Sequence, residues 1–266
     1  MKTLLDTIIV SLIAITCLFL ALIVGAVIAV ITGIPSVLIS NIIFLTFISF
    51  LLFEIYLRTI KPVQLIFKGQ YERALALLNR NLKSFYAHLS RDLKNATIYN
   101  LAYVNHQLGR FEDSIEWLDK LDSRKLDKNL KGLYYSLYAA NLLMLERDLD
   151  IAENYLDLAL PLIKIVSLKL SYCYLYLLKN DTVKAKEKLE EYLEEKKRDR
   201  NFQMGMGTAY FIDNDFKILL ENFYFGRYYQ AINDIERARE DFSKASTFAY
   251  DNVYRAKAIE YLSKIS

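Results

Sequence analysis

Between Thr7 and Phe53 the chain carries no charged residue. A single helix of that length would run roughly 70 Å, more than twice the ~30 Å hydrocarbon core of a bilayer. The run must break, and Thr32-Gly33-Ile34-Pro35-Ser36 supplies the break, because Gly and Pro together punctuate a helix more strongly than any other pair. Pro35 also suits the first turn of a following helix. The expectation is two membrane spans, at about 7–31 and 36–57, forming a transmembrane hairpin over residues 1–60. A secretory signal peptide is the competing reading of the first span. Its apolar region would cover about 7–15 residues, and this one is far longer.

Orientation follows from the basic residues. Lys2 precedes the first span, Arg58, Lys61, Lys68 and Arg73 follow the second, and the Gly-Pro loop is uncharged. The positive-inside rule then gives a multi-pass protein of the cell membrane, with the N-terminus and the C-terminal domain cytoplasmic. Glu54 stands four residues before Arg58, which suits an interfacial ion pair better than a proton relay. Ala21, Gly25, Ala29 and Gly33 recur every four residues, and small residues at that spacing let helices approach closely in lipid. Such a face serves packing of the hairpin on itself or a homo-oligomer contact, and both readings stay open.

Several chemistries are disfavoured. Net charge is only +3, without the basic stripe of a nucleic-acid binder. Gly (8) and Pro (3) are too scarce for an all-β fold with many tight turns. Cys17 and Cys173 form no CxxC and no Cys/His cluster, so no metal site is expected. Gly205-Met206-Gly207 lacks the further glycine, the Lys-Ser/Thr and the preceding strand of a phosphate loop. Asp213, Asp215 and Glu221 do not match a calcium loop, and His88 and His106 have no orienting partner in sequence. No cofactor and no enzyme activity are expected.

From residue 61 to 266 the pattern changes to amphipathic helices in pairs, and it recurs. Gly69–Ala74 leads to Leu78, and Gly109–Ser114 leads to Leu118. Asp148–Ala152 leads to Leu156 and Ala159, Asn180–Ala185 to Leu189, and Ala238 to Phe242 and Ala245. The last unit adds Phe225, Gly226 and Tyr229 on its first helix; Leu101, Ala102, Ala139, Ala140, Cys173 and Tyr176 occupy comparable places in earlier units. This resembles the tetratricopeptide repeat, in which small residues mark the helix crossing and bulky ones fill the gap to the next hairpin. The small positions 74, 114, 152, 185 and 238 are separated by 40, 38, 33 and 53 residues, where the family repeats at about 34. The long gap holds an inserted segment at 197–214, and 251–265 reads as a terminal capping helix. Pro62 falls where a first-helix small residue belongs, so the second span is expected to run almost directly into the repeats. The fold expected is all-α: a transmembrane hairpin followed by a cytosolic α-solenoid of such pairs.

The resemblance implies a concave groove built from the first helices. Its frame places Tyr99, Tyr103, His106 and Gln107 there, then Tyr134, Leu137 and Asn141, then Tyr174, then Phe223, Arg227 and Gln230. Tyrosine and arginine are favoured in binding hot spots, and the chain has 20 tyrosines. Packing between hairpins is the other use of these side chains, and it stays open. Position 137 is Leu beside Asn141, where chaperone-binding members carry a lysine, so that mode of binding an acidic peptide is not expected. The expected function is a membrane-anchored scaffold or adaptor whose groove takes a protein or peptide, with the lipid bilayer as its other partner. The alternative is a regulatory sensor that couples the hairpin to the array.

Overall fold

The computed structural model describes residues 36–84, 90–163, 167–198 and 214–265, with residues 23, 24, 27, 28, 30 and 31 of the N-terminal run. The described residues are helical or in turns, with no strand among them. The first expected span and the Gly-Pro break lie almost wholly outside them. So do the face at Ala21, Gly25, Ala29 and Gly33, His88 and most of the insert at 197–214. Among the described residues no helix is long and apolar enough to cross a membrane. The second expected span overlaps α1, Ser36–Ile55, many of whose side chains also lie outside the described set. Those of Leu38, Ile42, Leu45 and Phe53 are exposed, Leu45 by 63%.

Helix α1 does not stop before the hairpins begin. A π-helical stretch, Tyr56–Ile60, carries the chain into α2, Lys61–Phe67. A π-helical turn frees backbone carbonyls from the regular ladder. The Arg58 carbonyl accepts from Asn81 Nδ2 at 3.0 Å, and the Tyr56 hydroxyl donates to Gln64 Oε1 at 3.0 Å. Pro62 sits in the first turn of α2, where its missing N–H costs nothing, and is buried. The first unit therefore has a short first helix of its own.

Among the described residues five helix pairs follow in series: α2 with α3, Tyr71–Leu82; α4, Arg91–Gln107, with α5, Phe111–Leu118; and α6, Lys128–Met144, with α7, Leu149–Ala159. Next come α8, Ser167–Leu178, with α9, Thr182–Arg198, and α10, Asn214–Ala231, with α11, Ile235–Ser246. A last helix, α12, Val253–Ile265, packs on α10 and α11 and reaches back to α4. Its first turn is capped by Asn252, whose Oδ1 accepts from Arg255 N–H at 2.9 Å.

The turns inside the pairs repeat one geometry. Gly69, Gly109, Glu146, Asn180 and Asn233 all have φ between 53° and 75°. Around each, two backbone bonds close the first helix: Gly109 N–H to His106 O and Arg110 N–H to Asn105 O, for example, or Asn233 to Gln230 and Asp234 to Tyr229. This pattern satisfies the orphan carbonyls of a helix end and requires a left-handed residue. Glycine meets that requirement twice, asparagine twice and Glu146 once.

Just past each turn comes the small residue of the second helix. Ala74, Ser114, Ala152, Ala185 and Ala238 have no exposed surface. Gly226 shows why the crossing needs smallness: a Cβ there would lie 2.7 Å from the Phe242 ring. The bulky partners Leu78, Leu118, Leu156 and Phe242 are fully buried between neighbouring hairpins. The acid-base run of α9 is only partly a solvated face. Lys186 and Lys188 pair along the helix with Glu190 and Glu191, while Glu191 and Glu195 reach Lys169 of α8. Lys196 and the Tyr192 hydroxyl both meet Glu221 of α10.

The array closes on itself. Tyr250 packs directly over Gly69, Asn252 stands beside Tyr71, and Val253 faces Gly109. Tyr254 lies against His106, with ring centroids 5.7 Å apart.

Candidate functional site

Inside this closure, on the side of the first helices, lies a half-open cavity of about 100 Å³. Helix α4 contributes Tyr99, Tyr103, His106 and Gln107, which share one face at i, i+4, i+7 and i+8. Helix α6 contributes Leu133, Ser136, Leu137 and Ala140, again one face. Ser171 comes from α8, Phe216, Leu220 and Tyr224 from α10, and Tyr254 from α12.

A buried polar chain stands behind this wall. Ser114 Oγ donates to the Ala102 carbonyl at 2.7 Å and accepts from Asn141 Nδ2 at 2.8 Å. Asn141 Oδ1 lies 2.8 Å from His106 Nδ1, and His106 Nε2 lies 2.9 Å from the Tyr254 hydroxyl. The tautomer follows: Nδ1 carries the proton and donates to Asn141, and Nε2 accepts from Tyr254. Burial pushes the His106 pKa down to about 4, against a smaller opposing effect of the Asn141 bond, so the imidazole is neutral at physiological pH. The Tyr254 and Tyr224 rings pack together with centroids 6.2 Å apart, and burial holds both hydroxyls protonated. Tyr103 lies beside Gln107. Gln107 is only 1% exposed, and its Oε1 has no partner.

Five of the eleven groove candidates, Tyr99, Tyr103, His106, Gln107 and Leu137, line the cavity. Tyr134 instead packs in a tyrosine cluster with Tyr135, Tyr138 and Tyr155. Asn141 is the hinge of the buried polar chain. Tyr174 and Phe223 have no exposed surface and meet edge to face, with centroids 6.1 Å apart. The Arg227 guanidinium lies 4.2 Å over the Tyr261 ring and donates to Gln230 Oε1 at 2.9 Å, placing both residues outside the cavity. On α6 the lining face is displaced by one position from Tyr134 and Asn141, to Leu133, Ser136 and Ala140. The i, i+3, i+7 spacing of Leu133, Ser136 and Ala140 was the signal available in sequence. The contribution of Tyr254 had none.

The arrangement offers no nucleophile with a base. His106 is bonded at both nitrogens to neutral groups, and burial raises the Cys173 thiol to about 12. Among the described residues no cluster of three His, Cys, Asp or Glu side chains is placed to hold a metal ion. The cavity wall is mostly apolar, with a few hydroxyls and one amide. The chain matches no protein-family model, and no curated protein and no solved structure is similar to it.

Proposed function

We propose that this chain is a membrane-anchored scaffold of tetratricopeptide-like helix pairs that engages a protein or peptide partner through its concave, first-helix side. The observation that carries the reading is the half-open cavity, where residues of four first helices meet around Tyr103 and Leu137. The anchor rests on the charge-free run from Thr7 to Phe53 and on the exposed apolar side chains of α1. An isolated helix that is apolar around its circumference is stable in lipid or in a protein core, not in water.

A photo-crosslinking residue at position 103 of the full chain, in intact membranes, tests the partner. A defined protein should be captured there and lost when Leu137→Arg blocks the cavity. Capture no greater than from the exposed position 116 overturns the reading. Full-length chain that stays monodisperse in buffer without detergent overturns the anchor.

The sensor reading is favoured by one feature, the helical path that runs unbroken from Ser36 to Phe67. A shift of the apolar helix is then passed to the first pair without a hinge. Leu substituted at Gly25 and Ala29, with partner capture at position 103 unchanged, counts against it.

A further inference from the structure

Among the described residues the wall of the cavity holds no Lys, Arg, Asp or Glu. The imidazole at the wall, His106, is neutral and has both nitrogens committed to Asn141 and Tyr254. A charged guest would be stripped of water with no counter-ion among the described wall residues, a penalty that hydroxyl dipoles do not cancel. A wholly apolar guest offers nothing to the hydroxyl-bearing side chains of the wall, Tyr103, Ser136 and Tyr224 among them. Size sets the second limit. An engineered cavity of about 150 Å³ takes benzene with its six non-hydrogen atoms, so about 100 Å³ encloses roughly four, and the rest of a slightly larger guest sits in the open mouth. An extended peptide backbone does not enter such a volume; one side chain or one small molecule does.

We propose that this cavity is a binding site for a small uncharged group that carries an N–H or O–H donor on an apolar body, such as a primary amide. The proposal rests on reading the concave side as a binding surface, and names the chemistry it accepts. The group belongs either to a free small molecule or to a single side chain of a docked segment.

Ligand-detected NMR titration of the full chain in lipid nanodiscs provides the test. The probes are isobutyramide, its anionic isostere isobutyrate, and an N-acetylated, C-amidated Gly-Gly-Gln-Gly-Gly peptide. Isobutyramide should bind saturably, at least tenfold tighter than isobutyrate. Ala140→Met, which fills the cavity from the α6 wall, should abolish binding, and Ser136→Val should weaken it with the helical circular dichroism unchanged. Peptide binding at least as tight as that of the free amide assigns the site to a docked side chain, and weaker peptide binding assigns it to a free ligand. Equal binding of amide and carboxylate, amide binding undiminished by both variants, or no saturable binding of either amide probe overturns the proposal. Partner capture at position 103 is read separately. Loss of amide binding in Ala140→Met with capture retained refutes this use of the cavity as the docking pocket and leaves the scaffold standing.

Discussion

The His106 imidazole and the Tyr254 hydroxyl are 148 positions apart in the chain and 2.9 Å apart in space. The bond joins the first helix of the second pair to the last helix of the array. Replacing Tyr254 by Phe keeps the ring in place and leaves Nε2 a buried acceptor without a donor. The expected cost is about 1–2 kcal/mol in thermal or denaturant unfolding. Amide hydrogen exchange should rise in 253–265 more than in α6 or α7. Equal exchange in all three would show that the bond holds nothing closed.

Two buried titratable groups should pull stability in opposite directions with pH. The His106 pKa is depressed to about 4 from 6.5, so the unfolded chain takes up a proton that the folded chain refuses. Its stabilisation is intact above pH 6.5 and is lost as pH falls towards 4, by about 3 kcal/mol at most. Asp241 is shifted the other way, to about 6 from 3.8, chiefly by burial, with Glu240 adding to the rise and Lys244 opposing it. Folded protein binds that proton first, so stability rises as pH falls from about 6 to 3.8. In the intact chain the two slopes largely cancel between pH 6 and 4. Asp241→Asn should stabilise by about 1–2 kcal/mol at pH 7 and expose the acid loss due to His106. Melting temperatures at pH 7, 6, 5 and 4 check both, and parallel curves for variant and parent would refute the assignment.

Glu146 occupies a left-handed turn position that glycine fills at Gly69 and Gly109. Its φ of 53° costs a residue with a Cβ about 1 kcal/mol. Glu146→Gly should therefore stabilise by about 0.5–1 kcal/mol, less the small loss of its 3.4 Å contact with the Tyr174 hydroxyl. A lower denaturation midpoint would mean that the contact outweighs the backbone.

Gly226→Ala should act in the opposite direction. The added methyl meets the Phe242 ring at 2.7 Å, and Phe242 is stacked on Tyr261 with centroids 5.4 Å apart, so the ring has little room to yield. A loss of about 1–3 kcal/mol is expected. Phe242→Leu in the same chain should recover part of it, which unfolding of the double variant measures.

Asn81 ties the second helix of the first pair to the Arg58 carbonyl in the π-helical stretch. Asn81→Ala should cost about 1–2 kcal/mol and raise hydrogen exchange at 56–60 while α10 and α11 stay protected. Uniform exchange changes would contradict a local tie.

The helical character of the array was legible because each signal is local. Gly69 and Gly109 announce left-handed turns, and Ala74, Ala152, Ala185 and Ala238 announce close crossings within a few residues of them. The lining face of α4 was legible for the same reason, its four residues spanning little more than two turns. On α6, the large Tyr134 draws the eye to a stripe one position away from Leu133, Ser136 and Ala140. On α10 the candidates Phe223, Arg227 and Gln230 lie towards the far end from Phe216 and Leu220. A one-residue offset turns a helix face by about 100°, and composition does not resolve it. The Tyr254 contact was not legible, because it depends on the summed rotation of every pair between its two ends.

That clasp bears on how the domain comes apart. A row of helix pairs touching only nearest neighbours frays from whichever terminus is weakest, one unit at a time. Here the segment 250–254 lies on Gly69, Tyr71, His106 and Gly109, so the first and last pairs of the array are tied to each other. Heat or denaturant finds no starting point until the clasp opens, and melting then spreads through all five pairs as one event.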